Sequence, residues 1–148
     1  MPDVAQTDLS SHLLWFDTEY TSLTLERARL LQVALVVTDS NLQRIAAPER
    51  DLNLFVSVAQ DEPLDPWVLE NLGPLIARCR SAEALPVEAV NARIEAYLQD
   101  LLGPNPPGVK LRPPLAGNSL QSDWFLARKF LPALIARAHY RVDRKSTR

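Results

Sequence analysis

Several features that define whole classes of protein are scarce in this sequence. Its 148 residues include one cysteine, four glycines and two histidines, and the formal net charge at pH 7 is −2. A single cysteine excludes an intramolecular disulfide and a zinc site made of several thiolates. The small net charge argues against a large surface for non-specific binding of a polyanion, such as that of architectural DNA-binding proteins.

Long apolar runs are also missing, since runs such as residues 33–37 are far too short to span a bilayer. We therefore expect no association with a membrane. The N-terminal residues lack the basic and apolar regions of a secretory signal, and they carry Asp3 and Asp8 where a mitochondrial transit peptide is rich in arginine. These features predict a cytoplasmic protein, with a mitochondrial location as the alternative.

The sequence does contain enough apolar residues for a core. Hydrophobic residues make up 47% of the chain and charged residues 23%, which predicts a single domain over residues 1–148. Within this domain we expect an N-terminal tail at residues 1–12. Residues 103–114, with five prolines and two glycines, are expected to form a stiff loop.

The N-terminal half is typical of β-strands. Residues 13–16 form a short apolar run, and residues 30–38 are rich in β-branched residues. The Asp-Ser-Asn sequence at residues 39–41 favours a turn, after which residues 42–46 and 52–58 can return antiparallel. We therefore predict a three-stranded meander.

Helical periodicity dominates after the meander. A helix is expected to begin at Asp65-Pro66 and to break into two at Gly73-Pro74. Residues 86–102 carry a continuous apolar stripe at helical spacing. A short buried strand at residues 114–117 and a helix beginning at Ser122 or Asp123 complete a mixed α/β domain.

Two acidic residues, Asp17 and Glu19, are the first candidates for chemistry. They follow the first apolar strand two residues apart, so an extended backbone places both side chains on one face. Carboxylates this close repel each other, and a cation such as Mg²⁺ or Mn²⁺ would relieve the repulsion. The alternative is a strand that ends in solvated polar residues.

A third acid, Asp123, follows the polar Gly-Asn-Ser sequence at residues 117–119. One interpretation is an ordinary helix N-cap. The other is a third carboxylate brought against the first two, because acids of this kind hold two divalent ions about 3.5–4 Å apart for phosphoryl displacement.

The motifs also occur together and in a fixed order. The chain contains D-x-E-x-T-x-L from Asp17 to Leu23, V-T-D at residues 37–39, G-N-S with an Asp four residues after the Ser, and H-Y-R at residues 139–141. This order resembles the oligoribonuclease family of 3′→5′ exoribonucleases within the DEDD superfamily, over about residues 14–141. The resemblance implies a ribonuclease H-like fold, with a mixed sheet and helices on both faces. It also implies two-metal-ion hydrolysis of short single-stranded RNA to nucleoside monophosphates.

The resemblance assigns roles to individual residues. It implies that Asp17, Glu19 and Asp123 are catalytic ligands of two Mg²⁺ or Mn²⁺ ions, of which the second is expected to bind weakly. Substrate contacts are implied for Leu23 and Trp67 at the terminal bases and for Ser119 near the 5′ phosphate, with Asn118 in support. Leu23 is otherwise an ordinary surface or core leucine, and Trp67 a helix-face core residue.

The C-terminal residues of the family reach a neighbouring subunit. The resemblance therefore implies a homodimer in which Tyr140, Arg141, Ser146 and Thr147 contact the partner's site. The alternative for these residues is a basic, solvated tail.

One departure from the family bears on activity. The superfamily's third motif, a general-base His with a metal-binding Asp five residues later on a final helix, is not found in this sequence. We therefore expect the final helix to be missing and the domain to be incomplete at its C-terminus. The alternative to an exoribonuclease is a catalytically impaired homologue that binds short RNA, or dimerises, without turnover.

Overall fold

The first two strands form the centre of the fold because branched and aromatic residues dominate both. The structure, a computed structural model, describes residues 7–139. Strand β1 spans Leu13–Tyr20 and β2 spans Leu30–Thr38, and the two pair antiparallel with Leu13 opposite Thr38. One residue in β2, Leu31, is unpaired where the register shifts beside Tyr20, which is a β-bulge.

Two shorter strands extend the sheet on either side. Strand β3, Leu52–Phe55, pairs antiparallel with β2, and β4, Leu115–Ala116, pairs parallel with β1. The strand order is therefore β3-β2-β1-β4. A sheet with both kinds of pairing confirms the predicted mixed α/β architecture and the short strand within residues 114–117.

The prediction of a strand at residues 42–46 is wrong. The Asp39 carboxylate accepts hydrogen bonds from the backbone N–H groups of Asn41 and Gln43, at 2.8 and 3.0 Å. Leu42 between them has a φ of 64°, so the backbone turns tightly there instead of extending. What is left of the predicted pairing is an isolated bridge between Thr38 and Arg44.

The third strand is also shorter than the predicted 52–58. Val56 still donates its backbone N–H to the carbonyl of Leu31 in β2 at 2.9 Å, and on the other edge it forms a parallel bridge with Leu85. The backbone N–H of Ser57 donates to the carbonyl of Leu85 at 2.8 Å. Beyond Val56 the chain is therefore bonded to a segment distant in the sequence, which local sequence does not reveal.

Within the described residues, five α-helices accompany the sheet. They are α1 (Pro66–Asn71), α2 (Gly73–Cys79), α3 (Val87–Leu102), α4 (Leu120–Phe130) and α5 (Pro132–Arg137). The predicted break between α1 and α2 and the predicted long helix at 86–102 are confirmed. Within residues 7–139, no helix is long and apolar enough to cross a membrane.

Helix α4 begins earlier than the predicted Ser122 or Asp123. Its first residue is Leu120, which is buried in the core, and its N-cap is Ser119. The N–H of Asp123 already donates to the carbonyl of Ser119 at 3.1 Å, as an intrahelical bond. Burial of the apolar Leu120 therefore decides where the helix begins, and the polar residues after it do not.

The core lies between the sheet and helices α3, α4 and α5. It contains Leu14 and Phe16 of β1, together with Ile94 and Leu98 of α3 and Leu126 of α4. A second apolar cluster unites Leu31, Val68, Ile76 and Cys79, with Phe55 packed against it. Since Phe55 alternates with the core residue Leu54, helices α1 and α2 cover the opposite face. Helices therefore lie on both faces, as predicted.

The glycine before the fourth helix lies unusually close to β1. A Cβ atom at Gly117 would lie 2.5 Å from the carbonyl oxygen of Phe16 and 3.3 Å from Leu120 Cδ2. Neither β1 nor the buried leucine can shift freely, so only a residue without a side chain fits here. Gly117 thus sets how closely the start of α4 approaches Asp17, which follows Phe16.

We therefore expect Gly117→Ala to destabilise the protein by about 1–3 kcal/mol, the range for overpacking a close contact. Urea unfolding measures the change. Gly73→Ala is the matched control, because a Cβ at Gly73 has nothing within 4 Å, and its effect should stay below about 1 kcal/mol. Equal effects of the two substitutions would contradict this interpretation.

Candidate active site

Strand β1 presents two carboxylates on one face. Asp17 and Glu19 alternate with Phe16 and Thr18, which are buried, whereas Asp17 is exposed and Glu19 half-buried. The strand continues to Tyr20, so both acids lie within it and not after its end. The predicted shared face is therefore present, and it points away from the main core.

A cavity of about 200 Å³ adjoins these acids. Five of the residues singled out by the sequence analysis line it, namely Asp17, Glu19, Leu23, Trp67 and Ser119. They come from β1, from the loop between β1 and β2, from α1 and from the turn before α4. Residues far apart in the sequence therefore meet at one place.

Two of these residues are large, apolar and exposed. Leu23 is 78% exposed and Trp67 is 56% exposed. The core interpretation of either residue is therefore wrong. An apolar pair left in solvent at the mouth of an acidic cavity is typical of a ligand-binding surface.

The third predicted acid, Asp123, is fully buried one layer behind the cavity. Its Oδ1 accepts a hydrogen bond of 2.5 Å from the hydroxyl of Thr18, which does line the cavity. Among residues 7–139, its Oδ2 is buried without a hydrogen-bond partner. Because Ser119 is the N-cap residue of α4 and Asp123 lies inside its first turn, the N-cap interpretation is wrong.

The electrostatics of these carboxylates reflect their crowding. Burial raises the pKa of Asp123 from an ordinary 3.8 to about 6; the hydrogen bond from Thr18 opposes this shift, and the negative charges of Asp17 and Glu19 add to it. Burial, and then the charge on Asp17, also raises the pKa of Glu19. The charge of Asp17 thus acts on both Glu19 and Asp123, and the charge of Glu19 acts on Asp123.

The donor chemistry suits a hard divalent cation. Carboxylate oxygens are preferred by Mg²⁺ and Mn²⁺, and the orphaned Oδ2 of Asp123 and the mutual repulsion are features that a cation relieves. Among residues 7–139, however, no three Asp, Glu, His or Cys side chains form a group that could hold a metal ion. The carboxylate oxygens therefore suit a divalent cation, but Asp123 lies behind Thr18 and does not line the cavity.

The remaining predicted residues fall into two groups. Ser119 is exposed at the cavity, whereas Asn118 is exposed in the same turn without lining it. Tyr140, Arg141, Ser146 and Thr147 lie outside the described residues, so their assignment to a partner's site stays a prediction.

Two residues that hold the site together through hydrogen bonds are not predicted from the sequence. Thr18 holds Asp123, and Asp65 lines the cavity and binds the backbone of Leu23 at 2.9 Å. Thr18 is the middle residue of the Asp-x-Glu motif, and Asp65 was assigned only as a helix start. Their contacts span 105 and 42 residues, and neither spacing carries a sequence signal.

A larger cavity of about 730 Å³ shares Ser22 and Asp65 with the first. Its lining mixes basic residues such as Arg29 and Lys129 with acids such as Glu62, and Arg29 Nε pairs with Glu62 Oε1 at 3.1 Å. Within the described part of the chain, its lining includes none of Asp17, Glu19 and Asp123. The smaller cavity is therefore the candidate site.

Most of the chain is similar in sequence to named proteins. It is 35% identical over 134 residues to the oligoribonuclease of Azoarcus sp. (strain BH72), covering 88% of this chain and 69% of the relative. The oligoribonuclease of Sodalis glossinidius is 35% identical over 139 residues, covering 93% and 72%. A probable oligoribonuclease of Drosophila melanogaster is 33% identical over 143 residues, covering 94% and 63%. No family model matches the chain.

Solved structures share the fold. Exonuclease I of Methylocaldum szegediense superposes with a TM-score of 0.60 at 23% identity, over 81% of this chain and 23% of that one. Cell-death related nuclease 4 gives a TM-score of 0.57 at 18% identity, over 81% and 40%. Exonuclease I of E. coli in complex with a dA16 oligonucleotide gives 0.59 at 22% identity, over 82% and 23%. These neighbours confirm the ribonuclease H-like fold.

The raised pKa of Asp123 predicts a pH dependence of stability in the metal-free protein. Because the folded pKa of about 6 exceeds the ordinary 3.8, the folded state binds more protons than the unfolded state between these values. Stability is therefore lost as pH rises from about 4 to 7, by up to about 3 kcal/mol. Asp123→Asn keeps an acceptor for Thr18 and avoids this loss.

We expect Asp123→Asn to be more stable than the wild type at pH 7 in EDTA, and the difference to shrink towards pH 4. Urea unfolding at both pH values measures it. Asp61→Asn, at an exposed acid outside both cavities, is the control and should show no such trend. A difference that stays constant with pH, or grows towards acid, would contradict the assignment.

Proposed function

The chain belongs to the oligoribonuclease family, a family of 3′→5′ exoribonucleases, and on that premise we propose that it releases nucleoside monophosphates from the 3′ end of short RNA by two-metal-ion hydrolysis. One observation carries the proposal: Asp17, Glu19, Leu23, Trp67 and Ser119 line a single cavity. Charged oxygen donors and exposed apolar side chains occupy the same site, as hydrolysis of a nucleotide chain requires.

In this proposal the carboxylates of Asp17, Glu19 and Asp123 hold two Mg²⁺ or Mn²⁺ ions. When bound, divalent ions polarise the scissile phosphate and neutralise its charge. Asp17 and Glu19 reach the cavity directly, whereas Asp123 must exchange its contact with Thr18 or offer its free Oδ2. The second ion is therefore expected to bind more weakly than the first.

Leu23 and Trp67 provide the contacts to the terminal bases. Both are exposed and line the same cavity as the acids, and an aromatic ring stacks on any base because every base has a π-face. The hydroxyl of Ser119, also on the cavity, is available to donate to a 5′ phosphate, with Asn118 beside it in support. A short substrate thus has contacts at both ends, and such capping favours short RNA over long chains.

A homodimer completes the proposal. Tyr140, Arg141, Ser146 and Thr147 are proposed to reach the partner's site, where Arg141 adds a charge that pairs with phosphate. The dimer and the nucleic acid are inferred from the family. The DNA oligonucleotide bound by the E. coli exonuclease I neighbour makes DNA a second substrate to test.

The alternative is a homologue that binds short RNA, or dimerises, without turnover. One observation favours it, which is that Asp123 is buried, engaged with Thr18 and has a pKa of about 6. A carboxylate in this state binds a cation only after it loses its proton. An assay of turnover alongside binding separates the two functions.

Asp17→Ala tests the enzyme directly. We expect mononucleotide release from a 5′-labelled RNA dinucleotide in Mn²⁺ to fall by at least about 10²-fold, because removal of one group that stabilises transition-state charge has effects of this size. The matched control is Asp61→Ala, an exposed acid outside both cavities, which should retain wild-type turnover. A DNA dinucleotide, assayed in parallel, measures the preference for RNA.

Wild-type release no higher than that of Asp17→Ala would overturn the exonuclease proposal. Binding of the same dinucleotide without turnover would then support the impaired homologue.

Trp67→Ala tests the base contact. We expect KM for the dinucleotide to rise about tenfold, within the range for loss of one stacking contact, with little change in kcat because the proposed contact of Trp67 is to a base and not to the scissile phosphate. Leu69→Ala is the control, since Leu69 is equally exposed on the same helix but does not line the cavity. Equal effects of the two variants, or a loss confined to kcat, would contradict a role of Trp67 in binding.

A further inference from the structure

Asp65 connects the two exposed apolar residues of the site. It is the N-cap residue of α1, two positions before Trp67 in the sequence, and it lines the same cavity as Leu23 and Trp67. In the sequence alone, Asp65 marks only the start of a helix. Its hydrogen bonds in the structure indicate a further role.

The carboxylate of Asp65 does not serve the helix that it precedes. An N-cap aspartate ordinarily accepts a hydrogen bond from the second or third helical N–H, but the Asp65 side chain makes no such bond. Its Oδ2 instead accepts the backbone N–H of Leu23 at 2.9 Å. The side chain is thus committed to the loop between β1 and β2.

A second hydrogen bond runs in the opposite direction. The backbone N–H of Asp65 donates to the carbonyl of Thr21 at 3.1 Å. Asp65 therefore binds the loop on both sides of Ser22, with one bond before it and one after. Two bonds to neighbouring peptide groups fix the orientation of the loop as well as its distance from α1.

The position of the Leu23 side chain depends on how the backbone of the loop is held, because the side chain itself packs against little. Its side chain is 78% exposed, so burial contributes little to its position. Helix α1, by contrast, is anchored by Val68, which is buried with Leu31 and Ile76. Asp65 thus ties an exposed residue to a helix that is itself fixed to the sheet.

The charge of Asp65 matters less than its geometry. Arg27 is the basic partner, with its Nη2 at 3.8 Å from Asp65 Oδ1, and its side chain is 70% exposed. A long ion pair in solvent contributes little. The hydrogen bond to Leu23 N–H requires only an acceptor oxygen, which an asparagine also supplies.

We propose that Asp65 is a positioning residue that sets the spacing between Leu23 and Trp67, and through it the affinity for the terminal bases of the substrate. This inference rests on the proposed function, because it deepens the assignment of the same site. Asp65 itself touches no reacting atom. Its effect is therefore expected on binding and not on the chemical step.

A double-mutant cycle tests the proposal. We expect Asp65→Ala to raise KM for a 5′-labelled RNA dinucleotide in Mn²⁺ about tenfold while kcat changes less than about twofold, as is typical when only binding is lost. In a Leu23→Ala background the same substitution should raise KM less than about twofold, since the residue that it positions is absent. Asp65→Asn should restore near-wild-type KM.

Glu62→Gln is the control variant. Glu62 lies in the same segment and pairs with Arg29 at 3.1 Å, but it lines the neighbouring cavity and not this one, so KM should not change. Additive effects of Asp65→Ala and Leu23→Ala, or an Asp65→Asn variant as weak as Asp65→Ala, would overturn the proposal.

A measurement without substrate separates this inference from the proposed function. Amide hydrogen exchange of Leu23, whose N–H is bonded to Asp65, should accelerate in Asp65→Ala and stay at the wild-type rate in Asp65→Asn and Glu62→Gln. Faster exchange together with a wild type that neither cleaves nor binds RNA would overturn the proposed function alone. Unchanged exchange in Asp65→Ala would overturn the positioning role.

Discussion

The hydrogen bond between Thr18 and Asp123 holds the acidic half of the site together. It connects β1 to α4 across 105 residues of sequence, and both groups are buried. It also leaves the second oxygen of Asp123 buried without a partner, which is an unfavourable state for a carboxylate. The raised pKa of Asp123 follows, since burial and two neighbouring acids all favour its protonated form. The site is thus assembled at a cost to the stability of the metal-free protein, which the proposed cations would offset.

Around the cavity, an acidic side chain is buried and large apolar side chains are exposed, which reverses the usual pattern. An ordinary surface buries its large apolar side chains and leaves its acids in water, whereas here Asp123 is buried while Leu23 and Trp67 are exposed. Folding alone favours neither choice. Two such departures at one cavity are best explained by a ligand that carries both negative charge and flat apolar surfaces, and a short nucleic acid has both.

Periodicity predicted the regular parts of the fold from the sequence. The two apolar N-terminal strands, the break at Gly73-Pro74 and the stripe of α3 follow from local chemistry, and the structure confirms them. The predictions failed where a distant or competing contact decides. Hydrogen bonds to the Asp39 side chain form a turn where a strand is predicted at residues 42–46. Local rules assign the carboxylates of Asp123 and Asp65 to helix capping, but these carboxylates accept hydrogen bonds from Thr18 and from the backbone of Leu23 instead. The site residues were predicted from the order of motifs and not from spacing, because spacing alone favoured an N-cap at Asp123.

The same contacts explain why binding and turnover are physically separable in this domain. The apolar half of the site is held by Asp65, through the backbone of Leu23 and the start of α1. The acidic half is held by the Thr18–Asp123 bond between β1 and α4. These two sets of bonds share no residue, so loss of a metal ligand leaves the base contacts in place, and loss of Asp65 leaves the carboxylates in place. Because the two halves are held by separate bonds, measurements of KM and kcat on the same variants report on different halves of the proposed site.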